Sequence, residues 1–242
     1  LEAQGVDTSK SFSLIETGED LVRGDEPSPA RSSVLVRLSY GHIRIGSFQR
    51  FRALGEPDNI ARLLDHTITT HRPELWRDSL EDRGVAFLED VVGRVARLGA
   101  QWAAAGFVHG VLNTDNINVT GESFDYGPWR FLPYYDPDFT AAYFDETGLY
   151  SFGRQPEALF WNLARLADCL LTLAPQARLE GALSGFGPAL QDAFAKALFS
   201  RLGLAEAPRP ETDRLVSAVW RFLAETRAPF ERFFFDWYGG PA

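Results

Sequence analysis

The 242-residue sequence contains no methionine and a single cysteine, Cys169. One thiol excludes an intrachain disulfide and any multi-cysteine zinc site, and its simplest setting is a reducing, cytoplasmic compartment. No apolar run approaches the roughly 18 residues of a membrane helix, and no basic-then-apolar stretch marks a secretory signal. Positive charge is in deficit: 24 Lys and Arg against 33 Asp and Glu leave a formal net charge of −9. Nonspecific binding to nucleic acid or to an anionic membrane is thereby disfavoured, because both need a positive surface. A phosphate site survives this argument, since a few local arginines suffice. Residues 1–30 hold no glycine-rich phosphate cradle; Gly5, Gly18 and Gly24 are scattered. The chain opens Leu1-Glu2-Ala3 as if inside a helix, which leaves open whether more protein precedes it.

What is present is a core. Hydrophobic residues make up 45% of the chain, with 19 Phe and 6 Trp, enough to bury a substantial interior. Residues 10–17 and 33–40 read as strands, from the alternation around Ser11-Phe12-Ser13-Leu14-Ile15 and the strand formers Val34-Leu35-Val36-Arg37-Leu38. The charged, proline-bearing stretch 18–31 reads as the turn between them. From Ser47 the pattern turns helical, with Ile60, Leu63, Leu64 and Ile68 at helix spacing after Pro57, a first-turn proline. A longer helix is predicted over 79–105, striped by Val85, Leu88, Val91, Val92, Val95 and Leu98 and stopped by Gly106. Helical patterns return at 156–174, 187–203 and 210–226, and the aromatic tail 229–237 reads as a short packed helix. Trp161, Phe160 and Leu163 read as helical core, and Glu89-Asp90 as a solvated face of the long helix.

Residues 106–156 are different: dense in Gly, Pro, Asp, Asn and aromatics, with almost no periodicity. A stretch of that length in a compact domain is functional or disordered, and the aromatic content argues for function. The arrangement is α+β, a small strand-bearing piece of residues 1–46 before a larger helical piece of residues 47–242. The informative string is His109-Gly110-Val111-Leu112-Asn113-Thr114-Asp115-Asn116, followed by Phe124-Asp125-Tyr126-Gly127-Pro128. In protein kinases a His-Arg-Asp motif precedes a metal-binding Asn at this spacing, and an Asp-Phe-Gly motif supplies the second ligand. A hard cation such as Mg²⁺ wants oxygen ligands, and an Asn carbonyl plus a carboxylate can hold it on a triphosphate. The departure is Val111, which stands where a kinase keeps its catalytic Asp and can accept no proton. An acid occurs instead at Asp115, directly before Asn116.

That displaced acid, the Asp125-Tyr126-Gly127-Pro128 string, Tyr135-Asp136-Pro137-Asp138-Phe139, Gln155-Pro156 and Trp161-Asn162-Leu163 resemble the selenoprotein O family. The resemblance runs from about Ala3-Gln4-Gly5-Val6 onward and is most specific over 106–165. It implies a protein-kinase-like fold, here mostly the helical C-terminal lobe with a remnant of the strand-bearing lobe. It implies an ATP bound in a flipped orientation, with AMP moved onto Ser, Thr or Tyr hydroxyls of partner proteins. Carried over by position, Asp115 matches the proton acceptor, and Asn116 and Asp125 match ligands of Mg²⁺, with Mn²⁺ as an alternative. Asp125 also reaches the nucleotide through the metal, and Arg37 and Arg44 match arginines on the ATP phosphates. The family's glycine-rich loop, Lys and Glu would lie upstream of Leu1, so the chain alone is expected to turn over poorly.

Plainer readings compete at each position. Asp115 and Asn116 are also good turn formers, Asp136 and Asp138 more so. Arg37 on a strand is by default solvated, His109 is expected to bond the loop backbone, and Cys169 to be a buried, inert thiol. His66 and His71 lack a carboxylate in register for a metal. Two other functions stay open: a small-molecule phosphotransferase of kinase-like fold, against which Val111 counts, and a non-catalytic pseudokinase scaffold.

Overall fold

Helix formation around one long central rod organises the chain. In the computed structural model, which describes residues 1–22, 24, 28–205 and 207–240, that rod is α3 (Leu80–Ala105). Ser79 caps it, its Oγ accepting from the Asp82 N–H at 3.3 Å, while Glu81 and Asp82 complement the positive end of the helix dipole. Gly106 ends it at φ 63, a left-handed conformation that suits a residue without Cβ. Every residue of the predicted stripe is buried.

Before α3 come the strands β1 (Lys10–Leu21) and β2 (Ala30–Leu38), then α1 (Ile45–Leu54) and α2 (Pro57–His71), with Pro57 in the first turn as predicted. After it, the short strands β3 (Phe107–His109) and β4 (Trp129–Phe131) pair antiparallel, Phe107 opposite Phe131 and His109 opposite Trp129. The helices α4 (Gln155–Leu170), α5 (Gln176–Ser184), α6 (Phe186–Leu202), α7 (Arg209–Thr226) and α8 (Phe230–Asp236) complete the body. α2, α4, α5 and α6 all pack on α3. Gly99 lets α4 and α6 close on the rod: a Cβ there would sit 2.6 Å from Leu159 Cδ1. A second cluster, built from Leu198, Val219, Leu223, Phe230 and Phe233, joins α6, α7 and α8 beyond β3.

The α+β class holds, mostly helical with two small sheets. The strands are longer than the alternation suggests, running to Leu21 and resuming at Ala30, so part of the predicted turn is paired sheet; residues 23 and 25–27 of it lie outside the described residues. Their apolar side chains are largely exposed, Phe12 to 73% and Leu14 to 68%. α4 ends at Leu170 rather than 174, and α5 was not foreseen: its short run is broken by Gly181 and set off by Pro175 and Gly185. Two burial expectations are corrected. Trp161 and Phe160 are half exposed and only Leu163 is core, because they sit on the flanks of α4. Asp90 is not a solvated residue: it receives Arg72 from just after α2 and Arg94 from its own helix, both at 2.7 Å. Among the described residues no helix is long and apolar enough to cross a membrane.

Candidate active site

The polar loop starts where α3 stops. β3 carries it into the core, and His109 is locked there: its backbone N–H donates to Gln155 Oε1 at 2.9 Å, and Gln155 Nε2 donates back to the Phe107 carbonyl at 3.0 Å. Beneath it lies Trp102, fully buried, whose indole N–H donates to Ser123 Oγ at 3.2 Å. The Val111 N–H donates to His109 Nδ1 at 3.1 Å, so a neutral imidazole carries its proton on Nε2. That Nε2 faces Asp125 Oδ2 at 3.3 Å. His109 thus bonds the loop backbone as expected, and also faces one of the two predicted metal ligands.

Gly110 is obligatory for the next step. Its N–H donates to the Pro128 carbonyl at 2.7 Å, and a Cβ at this position would lie 2.6 Å from that oxygen. The loop and the Asp125–Pro128 turn are therefore in backbone contact. Asp125 Oδ2 accepts from the Gly127 N–H at 3.1 Å. Burial alone would raise the Asp125 carboxyl, but the His109 N–H, the Gly127 amide and the Arg37 charge outweigh it and hold it below the usual carboxylate range. Arg37 reaches this end from β2, its guanidinium 4.6 Å above the Tyr126 ring and its Nη1 donating to Ser9 Oγ at 3.1 Å.

At the other end the chain turns on Asn113, whose Oδ1 accepts from the Asp115 N–H at 3.0 Å. Asp115 is exposed and meets Arg44, with Nη1 3.6 Å from Oδ1 and 3.3 Å from the Asp115 carbonyl oxygen. Arg44 is the residue before α1, so the first turn of that helix abuts the loop: the Gly46 N–H donates to the Thr114 carbonyl at 2.8 Å, and Gln49 bonds the Thr114 hydroxyl. A Cβ on Gly46 would overlap Asp115 Oδ1. The neighbouring Asn116 donates from Nδ2 to the Val111 carbonyl at 2.9 Å, which leaves its Oδ1 as the uncommitted acceptor.

Thus Arg44 meets Asp115 at one end, and at the other Arg37 lies over Tyr126, next to Asp125, where its charge acts on that carboxylate. Asn116, Val111, His109 and Asp125 form a continuous chain of contacts between the ends; the Asp115 and Asp125 carboxylates do not touch. Asp115, Arg44 and Gly46 open on a cleft of about 1,120 Å³ beside α1, whose walls do not include Asn116 or Asp125. Asp136 behaves as a turn former, its Oδ1 accepting from the Asp138 N–H at 3.0 Å. Cys169 is buried and its thiol pushed up to about 11, chiefly by burial.

Several residues escaped the sequence reading. Glu122, buried, accepts from the Tyr40 N–H at 3.0 Å and from Asn118 Nδ2 at 3.3 Å, while Asn118 also donates to the Gly41 carbonyl at 2.9 Å. The pair pins the 39–43 connector that separates Arg37 from Arg44, and burial pushes the Glu122 carboxyl up. Asn162 donates from α4 to the Leu112 carbonyl at 2.7 Å and braces the loop from behind. No local pattern signals either role, since each depends on a partner distant in the chain.

Among the described residues no three or more His, Cys, Asp or Glu side chains cluster as an all-protein metal cage. A magnesium–nucleotide site does not require one: two oxygen ligands suffice when phosphates and water complete the shell. The free Asn116 Oδ1 and the low-lying Asp125 carboxyl are hard oxygen donors of the type such an ion takes.

The fold and the loop define a mostly helical α+β protein with a kinase-spaced Asn and Asp pair, a displaced acid and two arginines. The chain belongs to the SelO family: the model described as protein adenylyltransferase SelO matches residues 1–238. It is 44% identical over 236 residues to a protein nucleotidyltransferase YdiU of Trichormus variabilis, covering 98% of this chain and 48% of that protein. A protein of the same name from Synechocystis is 44% identical over 240 residues, covering 97% of this chain and 50% of its own. In Trichodesmium erythraeum the identity is 42% over 242 residues, with 98% and 51% covered. The chain spans about half the length of the curated relatives it matches.

Proposed function

We propose that this chain carries the catalytic loop of a protein adenylyltransferase that moves AMP from ATP to Ser, Thr or Tyr hydroxyls of proteins, on the helical lobe of a kinase-like fold. The observation that supports it most is the state of Asp115. It lies where no backbone donor claims its carboxylate, beside Asn116 and Arg44, while the position a kinase would give to its base holds Val111. In this reading Asp115 accepts the proton of the attacking hydroxyl. The hydroxyl oxygen bonds to the α-phosphorus as the bond from that phosphorus to the bridging oxygen breaks, and pyrophosphate leaves with the electron pair. Arg44 and Arg37 hold phosphate oxygens with their planar forks. Asn116 Oδ1 and Asp125 hold Mg²⁺ (or Mn²⁺), and His109 keeps Asp125 oriented and ionised. The ion, when bound, neutralises charge gathering on the departing pyrophosphate. Residues 1–46 then serve as part of the nucleotide-gripping lobe and 47–242 as the catalytic one. The lone buried thiol suits a cytoplasmic setting.

The test is isotopic. Full-length protein incubated with Mg²⁺ and ATP labelled at the α-phosphate is expected to place label on protein, and Asp115→Ala to abolish it. Label arriving only from the γ-phosphate would instead establish a phosphotransferase, and none from either position a scaffold.

A further inference from the structure

The cleft at the Asp115 end has a charge that its surroundings do not explain. One wall is α1, which contributes Arg50 and Arg52; the other is α4, which contributes Arg165; Arg44 closes the inner end beside Asp115. Its two acids are already answered. Asp115 is 3.6 Å from Arg44, and Asp168 is 3.0 Å from Arg165. Arg50 and Arg52 are exposed and, among the described residues, have no carboxylate within ion-pairing distance. In a chain of net charge −9, an unanswered pair of guanidinium groups stands beside the candidate base. Arg52, in the last turn of α1, also complements that helix's dipole; Arg50 has no such structural task.

We propose that this cleft docks an acidic segment of the acceptor protein, next to the hydroxyl that Asp115 deprotonates. The hydroxyl's place rests on the AMP-transfer reading above; the docking does not. A volume of about 1,120 Å³ exceeds any single side chain and accommodates a short extended segment. Guanidinium forks match carboxylates in two-pronged fashion. Register follows from how α1 is tied to the loop, through the Gly46 N–H on the Thr114 carbonyl and through Gln49 on the Thr114 hydroxyl. A segment lying along α1 therefore stands at a fixed distance from Asp115. The nucleotide is a poorer occupant of the outer cleft: of the residues assigned to it only Arg44 reaches the cleft, at its inner end, while Arg37, Asn116 and Asp125 lie outside the walls.

The test uses full-length protein and three peptides with one acceptor hydroxyl, flanked by Asp/Glu, by Asn/Gln or by Lys. Binding is read by fluorescence anisotropy without ATP, and label transfer by kcat/KM. The acidic peptide is expected to bind on the order of tenfold tighter than the neutral one, from two rim charge pairs, and to lose that advantage in ~0.5 M salt. The double variant Arg50→Glu, Arg52→Glu should reverse the order toward Lys flanks; both side chains are exposed, so the fold tolerates it. Equal binding of all three peptides overturns the proposal, as does a preference that survives in the double variant. Displacement of the acidic peptide by ATP or inorganic pyrophosphate also overturns it, assigning the anion site to the nucleotide. Arg50- and Arg52-dependent binding with no label transfer leaves the docking standing and removes the AMP-transfer reading. Transfer without flank preference does the reverse.

Discussion

Asp115 and Asp125 lie on the same polar segment, yet the protein treats their carboxylates in opposite ways. Asp115 is 63% exposed, its carboxylate meets Arg44 and lies against Gly46, and it opens on a cleft. Asp125 is 28% exposed, receives a backbone amide, and faces the proton-bearing nitrogen of a buried histidine. An acid meant to receive a proton must keep free lone pairs and room for a substrate. One meant to hold a cation must stay ionised and still, which second contacts achieve. The difference between the two environments is therefore the difference between the two proposed roles.

Substitution at the two ends should separate those roles. Asp115→Ala is expected to lower AMP transfer by about 10²–10⁴-fold, the usual worth of a positioned acid or base, while leaving Mg²⁺-dependent nucleotide binding in place. Asp125→Ala should remove transfer and also the Mg²⁺ dependence of nucleotide binding, measured by titrating a fluorescent ATP analogue with and without the ion. Identical phenotypes in both assays would erase the contrast. A subtler variant leaves both acids intact. Gly46→Ala places a methyl that overlaps Asp115 Oδ1, so the proposed base must move. A displacement of that kind is expected to lower transfer by roughly 10²-fold. Arg44 stands two residues before Gly46 and contacts Asp115, so nucleotide affinity is expected to fall as well, though by less than transfer.

Much of this was legible before any coordinates. Ser79 and Gly106 announce the ends of α3, and the spacing of Asn116 and Asp125 marks the candidate site. What was hidden depends on contacts between distant segments. Asp90 sits next to Glu89 in a row that reads as solvated, but Arg72 arrives from the connector after α2. Glu122 looks like any loop acid until the Tyr40 amide is found against it. Gly46 reads as one glycine among 21, and only the proximity of Asp115 makes its missing Cβ matter. α5 failed for a different reason: its short run between Pro175 and Gly185 has too little periodicity to stand out.

The acids of this region should also differ in how stability responds to pH, a smaller effect than the catalytic losses. Asp125 lies below its ordinary value in the folded state, so its contribution is present at neutral pH and lost as pH falls through the folded value. Glu122 lies above its ordinary value because burial disfavours the charge, so the sign reverses. Its contribution is complete below the unfolded value and is lost as pH rises through the folded one. Chemical denaturation across pH 3–8 checks both. Asp125→Asn should flatten the acid-side decline, and Glu122→Gln, which keeps an oxygen for the Tyr40 amide, the decline on the way to neutrality. Parallel curves for wild type and variant would remove the assignment.

The smallest expected effect concerns Cys169, close to Asp115 across the same cleft yet chemically its opposite. Its side chain points into the core and donates to the Arg165 carbonyl at 3.1 Å. Burial comes first among the causes that push the thiol up to about 11, the Asp168 charge second, and the nearby Arg52 and Arg165 only partly offset them. Since the thiolate is the reactive form, little of it exists at pH 7–8. A maleimide should therefore label the native protein far more slowly than the denatured one, and Cys169→Ala should leave transfer close to wild type. Fast native labelling that blocks transfer would instead place this cysteine in the working surface of the cleft, and the wall that α4 contributes would have to be reassigned from core to site.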